Sequence, residues 1–400
     1  MALLEFVMEY KWVLLFYSAV AILIYKNRKK FDFQAKFIAL LRTKIGFSFL
    51  ERQSKKNGSW WKLFGYVAIG AGFIGMIIIS VMLVDSLWKL ITVPDSPPGV
   101  APIIPGIKIP GSPIFVPLWY GIISLFFVVL VHEAAHGLVA KSHGIPVKST
   151  GIVFFGPLIG AFVEPDEKKL AKKGDVVQYS VFAAGPFSNV VLAVIVALVL
   201  NLLITPVYGL VFQSDGFTFE GVQEGYPAEA AGIKPGMVFT EANGAPLKDA
   251  NEFLKLISVM KPNETLVLNG TNGTFSVTLT KHPEEPYRGY MGVTGLTTHT
   301  VLRSDSFAAK AFSEVLVMIA TLLKWILILS LGIGLANLLP IGPVDGGRML
   351  LTALQSLFPK EKAELLWRKI SMATLLIILL NLFWPAFRWL NSAVMGVFVP

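Results

Sequence analysis

The chain contains no cysteine, which excludes disulfides, thiol nucleophiles and thiolate metal sites together. Charge is also scarce: 15% of residues are Asp, Glu, Lys or Arg, against 54% hydrophobic, and the mean hydropathy is +0.64. That balance, with several apolar runs longer than the roughly 18 residues a bilayer crossing needs, excludes an ordinary soluble protein. Histidines number five, so a metal would have to be held by a few of them together with Asp, Glu, Asn or backbone oxygen. The first apolar run is followed by Lys26, Arg28, Lys29 and Lys30 without a small-residue cleavage site, so no cleavable signal is expected.

What is present is a polytopic α-helical pattern of about six spans, expected over 8–25, 64–92, 115–141, 178–205, 313–338 and 370–395. The net charge of +9 reads as basic cytoplasmic loops, not as a nucleic-acid surface. Residues 26–62 carry eleven Lys or Arg against Asp32 and Glu51, and Lys168, Lys169, Lys172 and Lys173 crowd the segment after the third span. Residues 206–310, with eight bases and eleven acids, are expected on the other side. The N-terminus and C-terminus are expected outside as well, with 26–62, 142–177 and 340–369 inside.

Within the first basic loop, Phe33, Phe37, Leu41 and Ile45 recur at helical spacing. They are expected to form an amphipathic helix, lying on the inner leaflet or packed on the body. Residues 206–310 change character, with alternating strands, turn signals at Asn243-Gly244 and Asn269-Gly270, and one helix near 249–259. These features predict a compact α+β domain inserted between two spans. Asn263, Asn269 and Asn272 each begin an N-x-[ST] sequon.

The third span ends in His132-Glu133-Ala134-Ala135-His136. Histidines four apart share one helical face, so both imidazoles can reach one ion. Glu133 beside them is placed to take a proton from water that the ion activates. Zn2+ is the first choice for neutral imidazole plus carboxylate. Ionisable groups are costly at membrane depth, and three within one helical turn call for a function. For a third ligand, His143, His282 and His299 all fall in loops or the inserted domain. Asp345 is better placed. The fifth span ends in Asn337-Leu338-Leu339-Pro340-Ile341-Gly342-Pro343-Val344-Asp345-Gly346-Gly347, where Pro340 must break the helix and the two glycines permit close backbone approach. The third and fifth spans run in the same direction, and each motif lies at the cytoplasmic end of its span.

With these residues in view, the chain resembles the site-2 protease family of intramembrane zinc metalloproteases, which pairs HExxH on one transmembrane helix with NxxPxxxxDG on a later one. Both spacings are kept, and Gly185-Pro186-Phe187-Ser188-Asn189 is similar to the family's GPxxN motif. The resemblance implies one Zn2+ per chain on His132, His136 and Asp345, with Glu133 as general base. It also implies substrate contacts at Asn189, at Asn337, and at Gly156 in a membrane-associated β-hairpin over 150–165. Gly225–Val238 resembles part of a PDZ domain, and Tyr290 and Gly292 would then belong to a groove for C-terminal peptides.

Four regions are expected. Residues 1–112 form a two-span region with the basic cytoplasmic loop. Residues 113–205 form the first half of a catalytic membrane core, with the HExxH helix, hairpin and GPxxN helix. Residues 206–310 form an extracytoplasmic PDZ-like domain, and 311–400 the second half of the core with the last span. The implied activity is cleavage of single-span membrane proteins in regulated intramembrane proteolysis, in a multi-pass cell-membrane protein whose partners are its substrates and the lipid bilayer. Two other readings stay open: a zincin facing soluble cytoplasmic peptides, and a PDZ receptor with a relic metal site.

Overall fold

The computed structural model describes residues 7–34, 38–93, 96–109, 112, 114–155, 158–283 and 285–398, with the side chains of Gln34 and 385–398 excepted. Along the chain run α1 (Lys11–Lys26), β1 (Asp32–Gln34), β2 (Ile38–Thr43), α2 (Phe47–Lys56), α3 (Gly58–Thr92), α4 (Leu118–Ser142), β3 (Val147–Phe155), β4 (Leu158–Pro165), α5 (Glu167–Leu170) and α6 (Asp175–Val199). A π-helical turn, Leu200–Ile204, leads into α7 (Thr205–Val211). There follow β5 (Phe212–Val222), α8 (Pro227–Ala230), β6 (Val238–Ala242), β7 (Ala245–Pro246), α9 (Ala250–Val259), β8 (Thr265–Gly270), β9 (Gly273–Thr278), β10 (Thr280–Lys281), β11 (Gly289–Tyr290) and β12 (Val293–Leu302). The chain closes with α10 (Phe307–Asn337), α11 (Asp345–Leu357) and α12 (Lys360–Phe398). Contacts divide it into two compact units, residues 1–200 with 320–400, and residues 201–319.

Among the described residues, five helical segments are long and apolar enough to cross a membrane: Gly58–Thr92, Leu118–Ser142, Asp175–Val211, Phe307–Asn337 and Lys360–Trp384. The expected span at 8–25 is not among them. It corresponds to α1, of 16 residues, about 24 Å at 1.5 Å per residue, which is short of the ~30 Å hydrocarbon core.

In the first unit, α3 packs through a stripe of small buried residues, Gly65, Ala68, Gly72 and Gly75. A Cβ added at Gly72 would lie 2.8 Å from Met349 and 3.2 Å from Ala183, so the absent side chain lets α3 approach α11 and α6 closely. The second span is thereby built into the same core as the HExxH helix.

The segment expected to be an amphipathic helix is β structure instead. Strands β1 and β2 pair antiparallel, and β2 pairs with β3 from Ile38↔Phe155 to Thr43↔Thr150. The physical reason lies in the spacing. Positions 33, 37, 41 and 45 fall near one helical stripe, but all are odd-numbered, so they equally share one face of a strand. Residue 37 itself lies outside the described residues. Pairing to β3 decides the outcome. The result is a four-stranded sheet of order β1-β2-β3-β4. The expected hairpin is present with register Phe155↔Leu158 at its tip; Gly156 and its neighbour at 157 lie outside the described residues.

The second unit has a path of five strands, β12-β5-β6-β8-β9, with β7 paired to β6. Its core is aromatic: Phe217, Phe219, Phe239 and Phe253 are all fully buried, with Phe217 stacked on Phe253 at 4.4 Å. Asn243 and Gly244 take φ of 50° and 79° and make the expected two-residue turn between β6 and β7. The second expected turn is displaced. Gly270 is paired with Gly273, so Thr271 and Asn272 form the loop and Asn269-Gly270 ends the strand. The helix near 249–259 is present as α9, capped by the Asp249 side chain, which accepts from the Glu252 N–H at 2.9 Å.

Candidate metal centre

The site is assembled from α4, α6, the end of α10 and the start of α11, all in the first unit. On α4, His132 and His136 are one turn apart and both buried. Pro340 follows the end of α10, and the chain turns back so that Asp345 opens α11 after Val344. A Cβ at Gly346 or Gly347 would overlap the carbonyls of Leu338 and Ile341, so only glycine lets this loop fold onto the first turn of α11. From α12, Trp367 Nε1 donates to Gly347 O at 2.9 Å and fixes the same turn.

The three groups converge. Asp345 Oδ2 lies 3.1 Å from His132 Nε2 and 3.3 Å from His136 Nε2, and the two Nε2 atoms are 3.1 Å apart. One ligand atom from each residue lies within 4.8 Å of the others, a set positioned to bind a metal ion. The donor chemistry, two imidazoles and a carboxylate, suits zinc with a position left open. Two further observations fit an ion here. His136 Nδ1 is 2.7 Å from Val181 O, the bond that fixes a ligating histidine with Nε2 free. And the wall of the site is Gly185, where an added Cβ would overlap His136 Nε2 and lie 2.6 Å from His132 Nε2; no side chain fits there.

A cavity of about 700 Å3 opens onto this cluster and is lined by Glu133, Val163, Asn337 and Asp345 among others. The half-buried Glu133 accepts a hydrogen bond from the Val163 N–H at 3.1 Å, so strand β4 holds its carboxylate at the cavity wall. Because the Val163 N–H points away from β3, Ala161 and Ile159, at alternate positions, turn the same way. Among the described residues, β4 is an edge strand of the sheet, as β1 is at the other side, while β3 is covered by β2. Arg42, from the basic loop, also lines the cavity. It donates to Ser149 at 2.7 Å and pairs with Glu164 and Asp32. Burial opposes the charge on Glu164, but hydrogen bonds from Ser149 and Arg42 hold its carboxyl below the ordinary range.

The other expected residues divide. Asn337 lines the cavity, half-buried. Asn189 is fully buried, with its Nδ2 3.2 Å from His132 Nδ1. His143 lies 3.2 Å from Ser180 Oγ, and burial followed by the charges of Lys62 and Lys173 lowers its pKa; His299 Nδ1 lies 3.2 Å from Asp215 O. Neither joins the metal cluster, nor does His282, whose ring packs edge-on against Tyr290. In the second unit, the Tyr290 hydroxyl donates to Gln223 at 2.8 Å, and Gly292 has φ of 79°.

A polytopic chain with this cluster has the makings of a membrane metalloprotease, and comparison with known proteins gives the family. The model of peptidase family M50, the site-2 protease family, matches residues 120–378, well over half the chain, and the chain belongs to that family. It is 28% identical over 267 residues to an uncharacterised protein of Methanocaldococcus jannaschii, covering 64% of this chain and 67% of the other. It is 27% identical over 216 residues to the zinc metalloprotease RasP of Shouchella clausii, covering 44% of this chain and 50% of that one.

Proposed function

We propose that this chain is an intramembrane zinc endopeptidase that cuts the transmembrane segments of single-span membrane proteins. The observation that carries the reading is the convergence of His132, His136 and Asp345 at a cavity whose wall also holds Glu133. In this reading His132, His136 and Asp345 hold one zinc ion. When bound, zinc supplies Lewis acidity, acidifying a water molecule and polarising a peptide carbonyl. Glu133 takes the proton of the attacking water and delivers it to the leaving amine. The Val163 N–H holds Glu133 facing the cavity until substrate enters.

A transmembrane helix conceals its peptide carbonyls in its own hydrogen bonds, so a substrate must be opened before it can be hydrolysed. The edge of β4 is where the opened segment would pair, by strand addition. Asn337 in the cavity, and Gly156 by the family resemblance alone, are read as further substrate contacts. Residues 206–310 are read as a PDZ-like module taking extended C-termini along β12, beside the loop with Tyr290 and Gly292. Support comes from the position of β12 at the end of its sheet and from α9, whose Ala250 N–H donates to Thr298 on β12 at 3.1 Å. Loss of tail-peptide affinity on Gly292→Ala, measured by fluorescence anisotropy, is expected; unchanged affinity would remove that groove.

The test of the catalytic reading is cleavage of a single-span substrate reconstituted with the enzyme in vesicles. Wild type should cut it, a zinc chelator should stop the reaction, and Glu133→Gln should slow it by about 10²–10⁴-fold. A Glu133→Gln enzyme with near-normal turnover would sink the assignment.

A further inference from the structure

The carboxamide of Asn189 is fully buried and is not among the residues lining the cavity. A peptide backbone in the cavity would have no exposed surface of Asn189 to meet. Its polar neighbour is a metal-site histidine: Nδ2 lies 3.2 Å from His132 Nδ1. Its Oδ1 is buried without a hydrogen-bond partner, an arrangement that buried polar atoms rarely show. The backbone around it is held firmly. Ser330 Oγ on α10 donates to Asn189 O at 2.8 Å, and a Cβ at Gly334 would come within 3.1 Å of Asn189 Cβ, so α10 closes directly over the residue.

The direction of the hydrogen bond is informative. His132 turns Nε2 toward Asp345 and His136. A neutral imidazole that gives its Nε2 lone pair to a metal keeps its proton on Nδ1 and needs an acceptor there. His136 already has one, Val181 O at 2.7 Å. For His132 the group at Nδ1 is Asn189, and a half-turn of its carboxamide exchanges Nδ2 for the unpartnered Oδ1. We propose that Asn189 is a positioning residue of the metal site: its Oδ1 accepts from His132 Nδ1–H, fixing the tautomer and ring plane in which Nε2 faces the metal. Val181 O and Asn189 Oδ1 then serve the two histidines alike. This inference rests on the zinc reading above and gives Asn189 a task other than contacting substrate.

Two variants separate the tasks, each read out by zinc affinity from chelator competition on the purified full chain and by KM for the single-span substrate. Asn189→Asp keeps an acceptor oxygen and loses the amide donor. Asn189→Leu keeps approximate size and loses both. If Asn189 orients His132, Asn189→Leu weakens zinc by about 10- to 100-fold. Asn189→Asp then holds zinc affinity and KM within about threefold of wild type, the span of a half-unit change in log affinity. The Co2+-substituted Asn189→Leu protein, where it folds, should also show a shifted visible absorption spectrum. If instead Asn189→Asp raises KM with zinc affinity unchanged, the residue is a substrate contact and the proposal fails; that arm stands even if the Leu variant does not fold. Zinc affinity unchanged in a folded Asn189→Leu would overturn it too. A wild-type chain that takes up no zinc at all would overturn both this and the reading beneath it.

Discussion

At the scale of single residues, the proposed reading separates groups that would hold the metal from groups that would use it. His136→Ala and Asp345→Asn each remove one of three donors, so zinc content should fall together with activity. Glu133→Gln touches no donor, and zinc content should stay at wild-type level while turnover is lost. Gly185 belongs with the first group although it carries no donor atom. Any Cβ there occupies the space between the two Nε2 atoms, so Gly185→Ala should deplete zinc as a ligand variant does while the protein still elutes as a folded species. Elemental analysis of the purified variants checks this, and a fully zinc-loaded Gly185→Ala would contradict the role of the glycine wall. That His132, His136 and Asp345 come together beside Glu133 was legible in the sequence because the spacing is local, four residues on one helix and eight from Asn337 to Asp345 across a Pro-broken turn. Gly185 could be picked out within its motif, but its packing against the two histidines, like the contacts of Val181 and Ser330, could not, because these depend on which helix lies opposite, and no spacing within one element encodes that.

At the scale of elements, most helices were legible from length and hydropathy, since apolar stretches of this size have few alternatives. The strands of the basic loop were not. A spacing of four serves a helical stripe and a strand face equally, and the deciding factor, a vacant edge on β3, is more than a hundred residues away in sequence. That sheet brings Arg42 to the cavity. Helix α2 is tied to α4 in a comparable way: Lys141 Nζ is 2.9 Å from Glu51 Oε2 and stands over the Phe47 ring at 4.1 Å. Hydrogen bonds from Lys141 and then Lys55 pull the Glu51 carboxyl down from 4.5 to about 2. A folded-state pKa below the unfolded value means that the stabilisation is fully present above the unfolded pKa and is lost as pH falls through the folded one. The difference in thermal midpoint between wild type and Glu51→Gln, in detergent, should therefore be constant above about pH 4.5 and shrink toward pH 2. A difference independent of pH over that window would show that the ion pair contributes nothing.

At the scale of the whole molecule, the chain belongs to the M50 family and has, among the described residues, five helices able to cross a membrane, and its candidate metal-ligand cluster lies where three of those helices meet a sheet edge. The HExxH motif sits within α4, and Asn337 ends α10, so the cavity opens beside residues that are themselves part of apolar segments. This placement supports the central proposal, that the bond cut lies in a membrane-spanning segment of the substrate. The direct measurement is to reconstitute the zinc-loaded chain with a purified single-span substrate in vesicles and locate the new termini by mass spectrometry. New termini inside the substrate's apolar span, produced by wild type and absent with Glu133→Gln, are the expected result. Termini confined to a water-exposed flank, or hydrolysis of soluble peptides in preference to the spanning substrate, would contradict it.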